Sequence, residues 1–227
     1  MIIFHGDNHV ASREALRQQI IQLREKFPQV NHYLATGVNP AKLEMSLGEV
    51  SLFNERPLTI VEELHSLPKS ANRTALISQL QQAAEGDQVI LWEKKLLTAK
   101  QLAGFPRATI KTFKASKSLF QWLDSLKPAG NTREQLRLFQ LAVTQDGIEF
   151  CFLMLVRQLR LLIEYVETKA VAGPPFMQKK IRDQAQNFSL AQLVALHQHL
   201  TMIDFQSKTG QSLLPVKERL DLLQIEL

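Results

Sequence analysis

The sequence of 227 residues contains a single cysteine, only nine glycines and no apolar run long enough to cross a bilayer. One cysteine excludes a disulfide within the chain, which fits a cytoplasmic location. Cys151 lies in an apolar helical pattern, which predicts a buried small side chain rather than a nucleophile. A membrane span needs about 20 apolar residues, and residues 1–6 lack the basic segment of a signal peptide. We therefore expect neither a membrane partner nor secretion.

The sequence also lacks the glycine-rich loop that binds phosphate in nucleotide-hydrolysing enzymes. Such a loop needs several glycines and a lysine followed by Ser or Thr. The turn after the first apolar strand, at residues 5–13, holds one glycine, and no Gly-Lys-Ser/Thr occurs anywhere. Glu62 and Glu63 follow an apolar strand, as magnesium-binding acids do in those enzymes. Without the loop, they are more simply expected to be solvated carboxylates at a strand end.

Other catalytic and metal-binding patterns are missing as well. No Gly-x-Ser-x-Gly motif is present. His197 and His199 are two residues apart on a predicted helix and project in different directions, whereas helical metal ligands are usually three or four apart. The sequence therefore predicts no catalytic residue of its own, no metal and no cofactor.

The charge balance is mildly basic, with a net charge of +5 and a pI of about 9.4. This excess permits contact with nucleic acid or an acidic protein without requiring it. Basic residues gather in two places, which supply the candidate contacts with DNA or an acidic partner: Lys94, Lys95, Lys179 and Lys180. The alternative is that these lysines lie on ordinary solvated faces.

Two different patterns divide the chain near residues 114–118. Residues 1–115 contain apolar strand patterns at 2–4, 32–35, 58–61, 89–92 and 109–113. These strands alternate with helical patterns at 12–27, 40–50 and 72–84. The expected N-caps are Ser12 for the first of these helices and Asn72 for the third. This alternation predicts a mostly parallel sheet covered on both faces. Residues 116–227 contain helical patterns only, at 116–126, 132–145, 148–171, 176–188, 189–205 and 213–227. We expect an α/β domain followed by an all-helical domain.

The segment Val50-Ser51-Leu52-Phe53 lies between an amphipathic helix and an apolar strand. The following Asn54–Pro57 cannot continue a helix. Two adjacent large apolar side chains at a helix end cannot both face one core. Leu52 and Phe53 are therefore either an exposed anchor for a partner's pocket or a closure of the core at the corner between helix and strand.

Three parts of the sequence resemble the delta subunit of the bacterial DNA polymerase III clamp loader. The first is Ile3–Asp7 with its following helix, similar to that family's opening strand and degenerate phosphate loop. The second is Val50–Arg56 before an apolar strand, similar to its clamp-contacting element. The third resembles its helical collar domain and consists of Phe120–Asp124, Leu155–Arg160, Pro175-Phe176, Phe188-Ser189 and Asp204–Gly210.

This resemblance implies an AAA+-like α/β domain that does not bind ATP, followed by a collar domain. In the family, the delta subunit binds the sliding clamp, holds one interface of the ring open and assembles with the ATPase and delta-prime subunits through its collar. By position, the clamp-binding residues here are Leu52 and Phe53, supported by Val50. The implied role is loading of clamps onto primed DNA during replication, as an accessory subunit of the polymerase holoenzyme.

One departure from the family pattern leaves alternatives open. The family carries a small helical lid domain between the α/β domain and the collar, and collar-like sequence here begins almost directly after Phe113. The alternative is thus an adaptor without a lid that binds the clamp or the collar and does not load clamps. An unrecognised nucleotide-dependent enzyme and a direct DNA binder are the remaining hypotheses.

Overall fold

The computed structural model describes residues 1–48, 56–83, 89–128 and 130–226. The chain divides into two compact units, Met1–Ala115 and Ser116–Leu227. Where the first unit is described, it contains five strands and four helices in alternation: β1 (Ile2–His5), α1 (His9–Leu23), β2 (Val30–Leu34), α2 (Pro40–Gly48), β3 (Leu58–Glu62), α3 (Ala71–Gln82), β4 (Val89–Glu93), α4 (Ala99–Leu102) and β5 (Thr109–Thr112). Short 3₁₀ turns follow β2 and β3.

The five strands form one parallel sheet in the order β2-β3-β4-β1-β5. Ile3 pairs with Leu91 on one side and with Ile110 on the other. Because parallel strands need crossover connections, helices cover the sheet on both faces, and its central strands β1, β3 and β4 are buried throughout. The parallel α/β sheet expected from the alternating pattern is confirmed.

Alternate residues of the strands build two separate cores. Ile3, Val61 and Leu91 face α2 and α3, whose buried residues on this side are Leu43, Leu76 and Leu80. Phe4, Ile60 and Trp92 face α1, which contributes Leu16 and Leu23. The two-residue period of a strand produces this division, because successive side chains point to opposite faces.

The N-caps of two helices differ from those expected. Asn8, not Ser12, caps α1, and its side chain accepts a hydrogen bond from the Ala11 N–H. Ser70, not Asn72, caps α3 and accepts from the Arg73 N–H at 3.2 Å. In both cases an earlier residue of the capping class begins the helix, and Ser12 is buried inside it.

The described residues of the second unit form six helices. They are α5 (Lys117–Ser125), α6 (Thr132–Asp146), α7 (Ile148–Thr168), α8 (Pro175–Ala185), α9 (Leu190–Lys208) and α10 (Val216–Glu226). The expected all-helical region is therefore confirmed. Ser189 caps α9 with a capping box to Gln192. The longest helix, α7, ends at Thr168 rather than near residue 171, because Lys169 adopts the left-handed conformation.

A buried tryptophan ties the helices of this unit together. The Trp122 ring of α5 lies 4.8 Å from the Phe139 ring of α6, measured between centroids. Its indole N–H donates to the Gln224 side chain of α10 at 2.7 Å. The Gln184 amide of α8 donates to the Leu123 and Leu126 carbonyls. These buried polar groups are paired, as a stable core requires.

Cys151 is fully buried in α7, as the sequence predicts. Burial, followed by the charges of Asp146 and Glu149, raises the pKa of its thiol to about 12. Because the thiolate is the nucleophile, we expect iodoacetamide to leave Cys151 unmodified in the native protein at a pH of about 8.5. Mass spectrometry should show full modification in concentrated urea. Equal modification rates in both conditions would contradict the buried placement.

Candidate functional site

Polar side chains collect at the carboxyl edge of the parallel sheet, where α/β folds usually bind ligands. His5 ends β1, Glu62 ends β3 and Glu93 ends β4, and each is at most 5% exposed. In nucleotide-binding relatives of this architecture, the loop after β1 holds phosphate through backbone N–H groups at the start of the next helix. The contacts of that loop therefore decide what this edge can bind.

The loop after β1 is packed against the chain that follows β5. Gly6 has a φ of +151°, and a Cβ atom there would lie 1.8 Å from the Phe113 carbonyl oxygen. The Asn8 N–H donates to that same oxygen at 3.0 Å, and the Asp7 carboxylate accepts from the Ala115 N–H at 2.7 Å. The loop thus approaches Phe113 so closely that only glycine fits at position 6.

The residues that begin α1 replace those that would bind phosphate. Counted from Gly6 in the Gly-x-x-x-x-Gly-Lys-Ser/Thr spacing, Ala11 stands at the second glycine and Ser12 at the lysine. The Ser12 hydroxyl accepts from the Trp92 indole N–H at 3.1 Å and donates to the His9 carbonyl at 3.2 Å. Ser12 thus has a short, buried hydroxyl whose two hydrogen bonds are made within the chain, and it offers no positive charge to a phosphate.

Arg13 lies across the same edge and joins three elements. Its guanidinium stacks 3.6 Å above the Trp92 ring of β4, in cation–π contact. The same guanidinium forms a bidentate ion pair with the Glu62 carboxylate of β3. The His32 ring of β2 lies 2.6 Å from the same carboxylate. Glu62 is therefore neutralised by side chains of this chain.

The ionised form of Glu62 is stabilised by these partners. Burial raises the pKa of its carboxyl, but the hydrogen bonds and charges of Arg13 and His32 outweigh burial and hold the pKa below its ordinary value. The expectation that Glu62 and Glu63 are solvated is wrong for Glu62, which is buried. Glu63 forms an ion pair with Lys94 at 2.8 Å.

A second buried carboxylate, Glu93, lies beside two histidines that the sequence patterns did not single out. Its Oε1 atom accepts from the His65 backbone N–H at 2.7 Å and lies 2.8 Å from the His65 ring. Burial lowers the pKa of His5, and the charge of Glu93 opposes that shift. His5 is the last residue of β1, and His65 lies three residues after the end of β3. Their position at the end of a buried strand was the available signal. In the described part of the chain, no group of three or more His, Cys, Asp or Glu side chains could hold a metal ion.

The predicted clamp-binding residues Val50, Leu52 and Phe53 lie outside the described residues. The helix that leads to them, α2, is described and is firmly held. Leu43 is fully buried, and Ser46 bonds to the Thr59 hydroxyl at 3.1 Å. The Gln79 amide of α3 donates to the Pro40 carbonyl at 3.0 Å. On the outer side of α2, Met45 is 76% exposed.

The four lysines singled out by the sequence have different surroundings. Lys94 pairs with Glu63, and the Lys95 ammonium donates to the His65 carbonyl at 2.8 Å. Lys180 pairs with Asp124. Lys179 lines an open cavity between α7 and α8. Lys94 and Lys95 belong to the α/β unit, whereas Lys179 and Lys180 belong to the helical unit.

Comparison with solved structures finds a similarity to the Bacillus subtilis DNA clamp loader delta protein (YqeN). The TM-score is 0.45 and the sequence identity 14%, over 99% of this chain and 94% of that chain. This similarity concerns the fold alone. No family model matches the sequence, and no curated protein matches it. Among the described residues, no helix is both long and apolar enough to cross a membrane.

The Glu62 ion pair makes stability depend on pH. Because the folded-state pKa of Glu62 is depressed, its stabilising contribution is present at neutral pH and is lost as the pH falls below about 4.5 and through that pKa. We expect Glu62→Gln to lower the free energy of opening of β3 and β4 by about 1.5–3 kcal/mol at neutral pH. This difference should shrink in acid. Amide hydrogen exchange of peptides from both strands, corrected for intrinsic rates, measures it.

The matched control is Glu25→Gln, at an exposed glutamate just after α1. This variant should leave the exchange of β3 and β4 unchanged at every pH. If Glu62→Gln behaved in the same way, the ion pair would not stabilise the sheet edge.

Proposed function

We propose that this chain is a delta-like subunit of a DNA polymerase clamp loader that does not bind ATP. In this proposal it binds the sliding clamp through Leu52 and Phe53, with Val50 in support, and holds the ring open for loading onto primed DNA during replication. The α/β unit is its clamp-binding domain and the helical unit its collar. The chain has no catalytic site of its own and serves an enzyme complex as an accessory subunit.

The observation that carries this proposal is that α2 is held firmly against the sheet and against α3. Leu43 and Ser46 fix one side of this helix to the sheet, and Gln79 fixes its first turn. The Leu52-Phe53 pair follows four residues after the last residue of α2, Gly48. An apolar motif that adjoins a firmly held helix with an exposed Met45 suits binding to a partner's pocket.

The free energy available from burying Leu52 and Phe53 is large enough to favour the open form of the clamp. Burial of a Leu and a Phe side chain contributes roughly 1.5–3 kcal/mol each. A ligand shifts an equilibrium only by its differential affinity for the two states. A difference of a few kcal/mol between the open and closed ring is sufficient to favour the open one. No covalent chemistry is needed for this role.

The sheet edge supports a role based on partners. Arg13 and His32 neutralise Glu62, and Ser12 and Gly6 are engaged within the chain, so the place of a nucleotide is filled by the protein's own side chains. An energy source for clamp release would therefore come from the ATPase subunits of an assembly. This division of labour matches what the sequence resemblance implies.

The helical unit offers a surface for such an assembly. Four apolar side chains of α9 are between 37% and 53% exposed and follow one side of the helix: Leu190, Val194, Met202 and Phe205. Exposed apolar stripes of this kind are typical of surfaces that bind other proteins. We propose that this stripe contacts the ATPase or delta-prime-like subunits.

A second candidate function is an adaptor that binds the clamp or a collar without loading clamps. The observation that favours it is the short connection between units: β5 ends at Thr112 and α5 begins at Lys117. No lid-sized group of helices fits between those two described residues. Co-purification with the ATPase subunits of the same organism separates the two functions, because only a loader subunit needs that assembly.

The clamp site is tested by Leu52→Ala/Phe53→Ala in the full chain. We expect the wild type to bind the sliding clamp of the same organism with micromolar affinity or better. The double variant should bind at least tenfold more weakly, about 1.4 kcal/mol, because it removes both anchors. Surface plasmon resonance with immobilised clamp measures both affinities.

The matched control is Ile21→Ala/Ile110→Ala, which shortens two exposed apolar side chains on α1 and β5. It should bind the clamp as the wild type does. Equal affinities of all three proteins would show that Leu52 and Phe53 are not the anchors. Failure of the wild type to bind would exclude the clamp as the partner.

A further inference from the structure

An open cavity of about 240 Å³ lies between the end of α7 and the first turns of α8. Its lining includes three cationic side chains, Lys169, Lys179 and Arg182. None of the described residues that line it is acidic. Three cationic side chains at one cavity, with no carboxylate among its lining residues, favour an oxyanion such as phosphate.

The backbone around the cavity fixes the positions from which the three cationic side chains extend. Lys169 holds the left-handed conformation at φ 58°, and its N–H donates to the Tyr165 carbonyl at 2.9 Å. Pro174 and Pro175 begin α8, and Ile181 anchors that helix with 2% exposure. The three side chains therefore start from ordered backbone, although their charged ends remain in solvent.

The cations of this cavity are less engaged than three other lysines of the same unit. Lys180 pairs with Asp124, Lys208 with Asp204 and Lys217 with Asp221. In the cavity, Arg182 has one exposed contact of 3.3 Å with its neighbour Asp183. The cavity thus concentrates positive charge, whereas carboxylates cancel the charge of Lys180, Lys208 and Lys217 elsewhere on this unit.

Two aromatic residues lie in the lining of this cavity or directly beside a lining residue in the sequence. Tyr165 lines the cavity, and Phe176 follows the lining residue Pro175 directly and is 69% exposed. A basic groove with exposed aromatic rings is the arrangement by which proteins hold single-stranded nucleic acid, since the rings stack on bases while the cations contact phosphates. A free phosphate would gain nothing from an exposed ring, and a peptide made of acidic residues alone would gain little.

We propose that this cavity binds the backbone of single-stranded nucleic acid, with Lys169, Lys179 and Arg182 on a phosphate and Phe176 stacked on an adjacent base. The site is independent of the proposed clamp contact, because all of its residues belong to the helical unit. A failure of clamp binding therefore leaves this proposal standing, and the reverse also holds.

The test measures binding of the full chain to a fluorescein-labelled oligothymidylate of about 15 nucleotides by anisotropy, over a range of salt concentrations. The variant Lys169→Gln/Lys179→Gln/Arg182→Gln should bind at least about tenfold more weakly. Its slope of log affinity against log salt should be shallower by about 0.7, since the variant loses one phosphate contact and each such contact on a single strand contributes about 0.7. Phe176→Leu should weaken binding about fivefold or more and leave the slope unchanged.

The matched control is Arg137→Gln/Lys208→Gln/Lys217→Gln, which removes the same charge from side chains that are paired with carboxylates, Arg137 with Glu134 among them. It should bind within about threefold of the wild type. Circular dichroism melting verifies that every variant folds. If the wild type did not bind the oligonucleotide, or if both triple variants lost affinity equally, the proposal would be wrong.

Competition distinguishes the other sources of an oxyanion. Inorganic phosphate at millimolar concentration and a polyglutamate peptide should each displace the oligothymidylate poorly. Full displacement by the peptide at equal charge concentration would make the cavity an acidic-peptide site. Full displacement by inorganic phosphate, with no effect of Phe176→Leu, would make it a simple anion site, and either result would overturn the proposal.

Discussion

The contact of Arg13 with Glu62 and Trp92 is the interaction on which the α/β unit depends. It joins the first helix to the ends of two central strands, and His32 adds the neighbouring strand. Isolated surface ion pairs contribute little to stability, but this one has a buried carboxylate and an aromatic face. It also fills the edge at which this architecture binds nucleotides. In the function that we propose, the same contact therefore both orders the sheet edge and takes the place of a nucleotide.

Because Arg13, Glu62 and His32 close the edge of the sheet, the sheet is an ordered base on which α2 packs. α2, the helix that precedes residues 50–53 in the sequence, packs on the sheet through Leu43 and Ser46. In our account, any change of conformation that governs clamp binding comes from partner subunits rather than from this chain.

Much of this fold could be predicted from the sequence, because apolar strand patterns and helical spacing are local signals. The caps show the limit of that approach, since Asn8 and Ser12 belong to the same residue class and only the structure decides between them. The Arg13–Glu62 pair joins residues 49 positions apart, and no local pattern indicates such a pairing. The different surroundings of Lys179 and Lys180 likewise depend on tertiary packing. The clamp anchors were inferred from a motif, and they stay a prediction.

The central claim is that this chain acts by binding a clamp and that nucleotide does not influence it directly. The most direct measurement is the affinity of the isolated chain for the sliding clamp, by calorimetry, with and without saturating Mg-ATP. Our account predicts micromolar or tighter binding that is the same in both conditions within about twofold. An affinity that changes about tenfold with Mg-ATP, or a lack of binding in both conditions, would contradict it.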